Sequence, residues 1–377
     1  MPIPFSRPPL GPLEVEAAAR AIRDGTIGGN GPICARVEAL LRERTGSPHA
    51  LLTPSATQAM DVALYAYGIG PGDEVLMPSF AFVSQANAIL SRGARPVFCE
   101  IDDETLDMCP RDAAARITPR TRMLMPVHYA GIACDLDAFA ALAREHGLVL
   151  FEDAAQGIGA SFRGRHLGTI GDAGCLSFHA TKNVVAGEGG CLLVRDAEVA
   201  ARAEIIREKG TNRSAFLRGD VERYTWVGPG DSFVLSDLLA AVLEVQLARL
   251  DEINAARLRI WRGYHAGLES LDKEGLIRRP VVPAGAAHNA HIYAFRTRTK
   301  GLAAHVLAGL REAGIAASFH FQPLHAAPYA REVLGPQPPL PRTELAAATL
   351  IRLPLFPELT VPDAERIAET VTRLCLE

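Results

Sequence analysis

The sequence predicts an α/β protein with a large, doubly wound, mostly parallel sheet domain and a small α+β C-terminal domain. A chain of 377 residues exceeds the usual size of one compact core, which favours two domains. Short apolar runs alternate with helical patterns over most of its length, an order typical of a parallel sheet covered by helices. Beyond residue 280 the pattern changes to strand, helix and short strand. We therefore expect a large domain at 1–250 and a small one at 251–377.

The individual elements follow from local patterns. Short apolar runs predict strands at 49–53, 74–77, 96–99, 123–127, 148–151, 174–178 and 190–194. Helical periodicity, closed in two cases by a glycine, predicts helices at 13–24, 35–45, 57–67, 83–91, 136–146 and 197–208. One long helix is predicted at 236–264. In the small domain we expect a strand at 291–295, a helix at 302–313 and a strand at 317–321.

Composition and charge exclude several classes of protein. Hydrophobic residues make up 48% and charged residues 22% of the chain, as in ordinary globular proteins. The formal net charge is −4 and no run of Lys or Arg stands out, so no nucleic-acid partner is expected. There is neither a secretory signal pattern nor an apolar stretch long enough to span a bilayer. We therefore expect a cytoplasmic protein with no membrane partner.

The cysteines agree with this location. Seven of them are scattered along the chain, and none forms a C-x-x-C pair. They predict neither a disulfide framework nor a zinc site, so no metal is expected.

Asp153 and Gln156 follow directly after a predicted buried strand. Ligands of open parallel sheets bind beyond the carboxyl ends of the strands, so these side chains should face a ligand crevice. Asp153 is suited to pair with the pyridinium nitrogen of a pyridoxal-type cofactor and to keep it protonated. Gln156 would reach the phenolic oxygen of the same ring. The alternative role for Asp153 is that of a helix N-cap.

Lys182 is the candidate for covalent attachment of such a cofactor. It lies between two predicted strands, in Ser177-Phe-His-Ala-Thr-Lys182, and a glycine-rich turn follows it. A Schiff-base lysine needs a rigid position and must be neutral when it attacks, which burial favours. Lys273 and Lys300 belong to turn-like segments, which leaves Lys209 as the rival. An exposed structural role for Lys182 is the other alternative.

The segment Thr53-Pro-Ser-Ala-Thr57 lies between a strand and a helix. Hydroxyls and backbone N–H groups at the start of a helix form a ready anion site, so this segment is expected to bind a phosphate. Ser55 or Thr57 would also cap the helix, and the two roles are compatible.

These three segments, in this order, resemble the sugar aminotransferases of the DegT/DnrJ/EryC1/StrS family, which are fold type I pyridoxal-phosphate (PLP) enzymes. The motifs that carry the resemblance lie at 70–80, 152–156 and 177–190, and the likeness runs from Leu10 to about residue 356. It implies a homodimer in which a loop of the neighbouring subunit, here 230–232 with Ser232, completes the phosphate site. It also implies roles in one site: Lys182 as the Schiff-base lysine, Asp153 at the ring nitrogen, Gln156 at the phenolic oxygen, Phe82 stacked on the ring, and Ala56, Thr57 and Ser177 at the phosphate.

Within the family, segments 127–134, 166–171, 205–214 and 224–226 look like those of members that aminate dTDP-4-keto-6-deoxy-D-glucose at C4. That likeness implies this dTDP-linked substrate, L-glutamate as amino donor, and a 4-amino-4,6-dideoxyhexose of galacto or gluco configuration as product. Ala56 stands where Gly or Cys is commoner, and residues 227–231 depart from the pattern of these members. The second departure leaves the cross-subunit contact and the configuration at C4 open.

Three alternative functions compete with this one. Family members that dehydrate ketosugars carry His in place of the Schiff-base lysine, so Lys182 argues against a lyase. A non-catalytic regulatory homologue should have lost Lys182, Asp153 or Gln156, and all three are present. A third alternative keeps the chemistry and changes the acceptor to a 3-keto or GDP-linked sugar. His320 and His325 either lie near the substrate or serve as core or capping residues.

Overall fold

The computed structural model of the chain describes residues 2–377. Its strands, in chain order, are β1 (His49–Thr53), β2 (Glu74–Pro78), β3 (Arg95–Cys99), β4 (Thr121–Leu124), β5 (Val149–Asp153), β6 (Ser161–Phe162), β7 (Arg165–His166), β8 (Ala173–Ser177), β9 (Gly190–Val194), β10 (Ile277–Arg278), β11 (Ala286–Ala287), β12 (Tyr293–Thr297) and β13 (Leu350–Leu353).

The helices are α1 (Pro12–Arg23), α2 (Pro32–Thr45), α3 (Ala56–Ala66), α4 (Ser84–Ser91), α5 (Pro110–Arg116), α6 (Leu136–His146), α7 (Ala197–Arg207), α8 (Arg213–Arg218), α9 (Asp237–Ala248), α10 (Leu250–Gly267), α11 (Glu269–Lys273), α12 (Lys300–Glu312), α13 (Pro328–Leu334), α14 (Pro341–Thr349) and α15 (Val361–Leu376).

Within residues 2–377 the main sheet has seven strands, in the order β1-β9-β8-β5-β4-β2-β3. Strand β9 is antiparallel to both of its neighbours, β1 and β8, and every other neighbouring pair is parallel. The predicted mostly parallel sheet is therefore confirmed.

Helices cover both faces of this sheet, which explains why its strands are nearly continuous apolar runs. Leu150 packs on the face covered by α1, α2, α6 and α9, and its neighbour Phe151 packs on the opposite face under α3, α4 and α7. Because side chains alternate along a strand, consecutive residues of β5 serve the two cores. A ligand site of this sheet is then expected beyond the strand ends.

The C-terminal part of the chain forms a second core around the antiparallel sheet β10-β12-β13. Helices α10, α12 and α15 pack on it through buried residues such as Tyr264, Val306 and Val371. The short strand β11 pairs with β6, so the C-terminal part also contacts the segment that follows β5. The boundary between residues 250 and 251 stays a prediction, and α10 begins at Leu250.

Two predicted elements were wrong. The single helix at 236–264 is two helices, α9 and α10, because Arg249 leaves the helical region with φ −97° and ψ 5°. The strand predicted at 317–321 is an irregular segment that makes one bridge, from Ser318 to Arg352, and Phe321 adopts a positive φ of 46°. A left-handed residue cannot continue an extended strand, so the segment turns at this point.

None of the helices in residues 2–377 is long and apolar enough to cross a membrane. In the same part of the chain, no cluster of three or more His, Cys, Asp or Glu side chains is arranged to hold a metal ion.

The end of β5 is fixed by the buried carboxylate of Glu152. It accepts hydrogen bonds from the backbone N–H groups of Gly168 (2.9 Å), Ile170 (2.6 Å) and Gly171 (2.6 Å). His128 donates a fourth bond through Nε2 (2.9 Å), since its Nδ1 accepts the Cys134 N–H. Burial alone would raise the pKa of Glu152, but these bonds outweigh it and hold the pKa below the ordinary value.

We predict that Glu152→Gln destabilises the protein by about 2–4 kcal/mol at neutral pH, because an amide cannot accept all four bonds and leaves buried donors unpaired. A carboxyl group whose pKa is lowered by folding stabilises the fold above its unfolded pKa and loses that contribution as the pH falls through its folded pKa. The difference between wild type and variant should therefore shrink in acid. Urea unfolding of both proteins at several pH values measures this difference in the free energy of unfolding. Glu145→Gln, at an exposed position on α6, is the matched control, and equal stability of the two variants would contradict the prediction.

Candidate active site

A cavity of about 590 Å³ lies where the carboxyl ends of β5 and β8 meet the start of α3 and the C-terminal sheet. This is the location at which ligands of open α/β sheets bind. Seven of the eight predicted site residues line it, namely Ala56, Thr57, Phe82, Asp153, Gln156, Ser177 and Lys182.

One end of the cavity is formed by the first turn of α3. Ser55 caps the helix, and its hydroxyl accepts the N–H of Gln58. The N–H groups of Ala56 and Thr57 have no acceptor within the helix, as is general for a first helical turn. A Cβ atom at Gly190 would lie 2.3 Å from the Ser55 carbonyl carbon, so glycine permits the close contact between β9 and this turn. Ser177 pairs with Gly190, which brings its hydroxyl to the same end. These groups suit a phosphate.

Asp153 is the last residue of β5, and it is buried. Its Oδ1 accepts the N–H of Ala155 (3.0 Å), and Cys175 Sγ lies 3.6 Å away. Burial raises the pKa of Asp153, and the nearby charge of Lys182 opposes that change. A carboxylate with a raised pKa is a strong hydrogen-bond acceptor. Asp153 is therefore suited to accept a bond from a protonated ring nitrogen.

Lys182 follows β8 in a turn closed by its own N–H, which donates to the carbonyl of His179 (2.9 Å). Burial lowers the pKa of Lys182, and the charge of Asp153 partly offsets that effect. The neutral amine needed for nucleophilic attack is thereby favoured. Among residues 2–377, Lys182 is the one lysine that lines the cavity. The rival Lys209 is exposed elsewhere, where its N–H donates to the Asp231 carbonyl.

Gln156 is oriented by its carbonyl oxygen, which accepts the Ala130 N–H (2.7 Å). The amide NH₂ group of Gln156 is therefore left as a donor at the cavity. Phe82 borders the opening and is 62% exposed, so one face of its ring is free to stack on a bound group.

The two candidate histidines differ in position. His320 lines the cavity, where its Nδ1 lies 2.9 Å from the hydroxyl of Tyr129. Burial lowers the pKa of His320 to about 2, so the ring is neutral. His325 lies outside the cavity, between the side chains of Ser79 and Glu344, and its role is structural.

Ser232 is the predicted site residue that the fold of a single chain does not bring to the cavity. It is exposed, and its N–H donates to Asp231 Oδ1 (2.6 Å). Its predicted role depends on a second subunit and stays a prediction.

Several residues that line the cavity were not predicted from the sequence. Arg257, His291 and Arg352 come from the C-terminal part of the chain and line the cavity. They lie far in sequence from the motifs, and no local pattern distinguishes them. Only the clustering of His and Asn at 288–291 was an available signal.

Residues 10–372 match the model of the DegT/DnrJ/EryC1/StrS aminotransferase family. The aminotransferase TlmJ from Streptoalloteichus hindustanus is 33% identical, with 99% of this chain and 98% of that chain covered and a TM-score of 0.90. DesV from S. venezuelae is 32% identical, with coverages of 100% and 99% and a TM-score of 0.89.

A third solved structure bears on the cofactor. It is the PLP-form of the putative sugar aminotransferase Spr1654 from Streptococcus pneumoniae, 25% identical, with 100% of this chain and 99% of that chain covered and a TM-score of 0.92. The fold is thus that of the type I PLP-dependent aminotransferases, as the sequence predicted, and PLP is the cofactor of the family. The chain belongs to the DegT/DnrJ/EryC1/StrS aminotransferase family.

Proposed function

We propose that this aminotransferase transfers the amino group of L-glutamate to C4 of dTDP-4-keto-6-deoxy-D-glucose. The products are a dTDP-4-amino-4,6-dideoxyhexose and 2-oxoglutarate. The observation that carries the chemistry is the presence of Lys182 and Asp153 in one cavity beyond the strand ends. The choice of sugar rests on the likeness of segments 127–134, 205–214 and 224–226 to those of C4 aminotransferases.

The cavity fits PLP by the chemistry of its donors. The free N–H groups of Ala56 and Thr57 and the hydroxyl of Ser177 would hold the phosphate. At the other end, Asp153 would hold the proton on the ring nitrogen, and the NH₂ group of Gln156 would donate to the phenolic oxygen. Lys182 would bind the cofactor covalently, and Phe82 would cover the ring.

When bound, PLP supplies an electron sink that stabilises negative charge on the reacting carbon. Lys182 does the work of moving the proton. With its amine free and neutral, Lys182 would take the proton from the α-carbon of glutamate in the first half-reaction, and it would deliver a proton to C4 of the sugar in the second. Burial lowers the pKa of Lys182, which favours the neutral form of its amine.

Two arginines suit the charge of the proposed substrates. Arg352 borders the cavity, and within the described chain neither it nor Arg257 forms an ion pair with a carboxylate. Burial lowers the pKa of Arg257 to about 9. A buried cation without a carboxylate partner, such as Arg257, favours an anionic ligand, and Arg352 is half-buried. Both a nucleoside diphosphate and glutamate carry such groups.

We also propose that the active enzyme is a homodimer. The segment 213–232 carries an exposed apolar surface, with Trp226 78% exposed. Its other exposed apolar residues are Phe216, Leu217, Val221, Tyr224 and Val227. A surface of this kind typically marks an interface. Docked on a second copy, the segment would carry Ser232 to that copy's phosphate site.

The seven buried, unpaired cysteines support a reducing location, and we propose the cytoplasm.

We predict that the purified enzyme, given PLP, L-glutamate and dTDP-4-keto-6-deoxy-D-glucose, forms a sugar nucleotide with nitrogen at C4 and releases 2-oxoglutarate. NMR of the product identifies the aminated carbon, and the H3–H4 coupling distinguishes gluco (large) from galacto (small). Turnover of a 3-keto or GDP-linked sugar, without turnover of this one, would show that the proposed acceptor is wrong.

The shared site predicts complementation between two inactive variants. Lys182→Ala removes the amine, and Ser232→Glu places a negative charge against the phosphate of the neighbouring subunit. Refolding an equal mixture should restore about a quarter of wild-type activity, because half of the dimers are mixed and one of their two sites is intact. Activity assays after mixing measure this. An absence of recovery, or full activity of a monomer in sedimentation, would refute the shared site.

A further inference from the structure

Arg352, the third residue of β13, brings a guanidinium group to the cavity. Its backbone exchanges two hydrogen bonds with Ser318 (2.7 and 3.2 Å), which fix the start of the side chain. At the far end of the side chain, Nε donates to the backbone carbonyl of Phe319 (3.2 Å). The guanidinium is planar and rigid, so this bond also restricts the direction of its two NH₂ groups.

One face of this guanidinium is covered by Phe5, which also lines the cavity. The Cζ atom of Arg352 lies 4.7 Å from the centroid of the Phe5 ring, within the range of a cation–π interaction. The ring is anchored through Ile3, which is buried. The N–H of Ile3 donates to the Gly314 carbonyl (2.8 Å), and the Ile3 carbonyl accepts from Ala316 (3.0 Å). A ring on one face and a carbonyl at Nε leave the guanidinium little freedom to turn.

The two NH₂ groups of Arg352 have no partner in the protein. Among residues 2–377 they form no hydrogen bond, and no carboxylate lies within ion-pair distance. Neither nitrogen is fully buried, so both are accessible to a ligand. Two coplanar NH₂ groups match the two coplanar oxygens of a carboxylate. An anionic ligand of the cavity would complete this pair.

Three anionic groups of the proposed substrates suit this position. They are the α-carboxylate of glutamate, its γ-carboxylate and the diphosphate of the sugar nucleotide. Burial is the main cause of the lowered pKa of Lys182, and the charge of Arg352 lowers it further, so this charge acts near the amine. The α-carboxylate is bonded to the carbon from which that amine takes the proton. The γ-carboxylate lies further along the chain, and the diphosphate is attached at C1, across the sugar ring from C4.

We propose that Arg352 binds the α-carboxylate of the amino donor, and that Phe5 is the positioning residue for its guanidinium. This inference rests on the proposed transfer from L-glutamate. The carboxylate accepts a hydrogen bond from each NH₂ group, which orients the adjacent carbon so that its C–H bond faces Lys182. The sugar has no carboxylate, so the contact is made in the glutamate half-reaction alone.

Three variants alter this arrangement in different ways. Arg352→Gln removes the charge and the pair of NH₂ groups, whereas Arg352→Lys keeps the charge but cannot bind a carboxylate through two coplanar groups. Phe5→Leu keeps an apolar side chain and removes the aromatic face. Arg7→Gln is the matched control. Arg7 belongs to the same segment and its Cζ also lies over a ring, that of Phe356 at 5.9 Å, but it does not line the cavity.

The glutamate half-reaction can be followed in reverse through the cofactor spectrum, with 2-oxoglutarate and with succinate semialdehyde, which lacks only the α-carboxylate. We expect Arg352→Gln to lower kcat/KM for 2-oxoglutarate by about 10²–10³-fold, because a charged pair inside the cavity is lost. Arg352→Lys should recover part of this loss, and Phe5→Leu should lower kcat/KM by about 3–30-fold. The rates with succinate semialdehyde and with the ketosugar should change far less, and Arg7→Gln should behave as wild type.

The outcomes separate this inference from the proposed function. An equal loss with succinate semialdehyde would assign Arg352 to the γ-carboxylate or to a structural role, and a loss confined to the ketosugar would assign it to the diphosphate. Either result overturns the inference. A wild type that does not exchange its amino group with 2-oxoglutarate would refute the proposed donor and this inference together. Failure with the ketosugar alone would refute only the proposed acceptor.

One measurement needs no variant. In the wild-type holoenzyme, 2-oxoglutarate should protect Arg352 from modification by phenylglyoxal, as read by mass spectrometry of its peptide. Arg7 should be modified to the same extent with and without 2-oxoglutarate. Modification of Arg352 that 2-oxoglutarate leaves unchanged would overturn the inference even if the Arg352 variants do not fold.

Discussion

The buried carboxylate of Glu152 is the interaction on which the geometry of the site depends. It joins the end of β5 to the turn at 168–171 and to His128, which follows β4. Side chains alternate along a strand, so fixing Glu152 on one side of β5 aims Asp153 at the other. Glu152 thus positions Asp153 without bordering the cavity itself. Burying the negative charge of Glu152 is unfavourable, and its four hydrogen bonds offset that cost.

Burial then gives the two central groups opposite properties. It raises the pKa of Asp153 and lowers that of Lys182, since in both cases it disfavours the charged form. Each charge partly offsets the effect on the other. Aminotransfer requires a carboxylate that pairs with the protonated ring nitrogen and an amine that is readily deprotonated. Burial in one enclosed cavity favours both properties.

Much of this arrangement could be predicted from the sequence. The strands of the main sheet are apolar and bounded by turn residues, and Asp153, Gln156 and Lys182 occupy the ends of strands or the turns between them. In an open, mostly parallel sheet, the topology alone places such positions at one crevice. Contacts between residues that are distant in sequence could not be predicted in this way. The four bonds to Glu152 and the approach of Arg352 to the cavity each need the folded chain, as does the turn at Phe321. Ser232 depends on a second subunit, which neither the sequence nor one folded chain supplies.

The central claim is that Lys182 binds the cofactor beside Asp153. Borohydride reduction of the holoenzyme, followed by proteolysis and mass spectrometry of the labelled peptide, tests it most directly. The account predicts a reduced pyridoxyl group on Lys182, a loss of the label in Lys182→Ala, and an unchanged label in Lys300→Ala, which alters an exposed residue. A label on Lys209, or cofactor that stays covalently bound in Lys182→Ala, would contradict it.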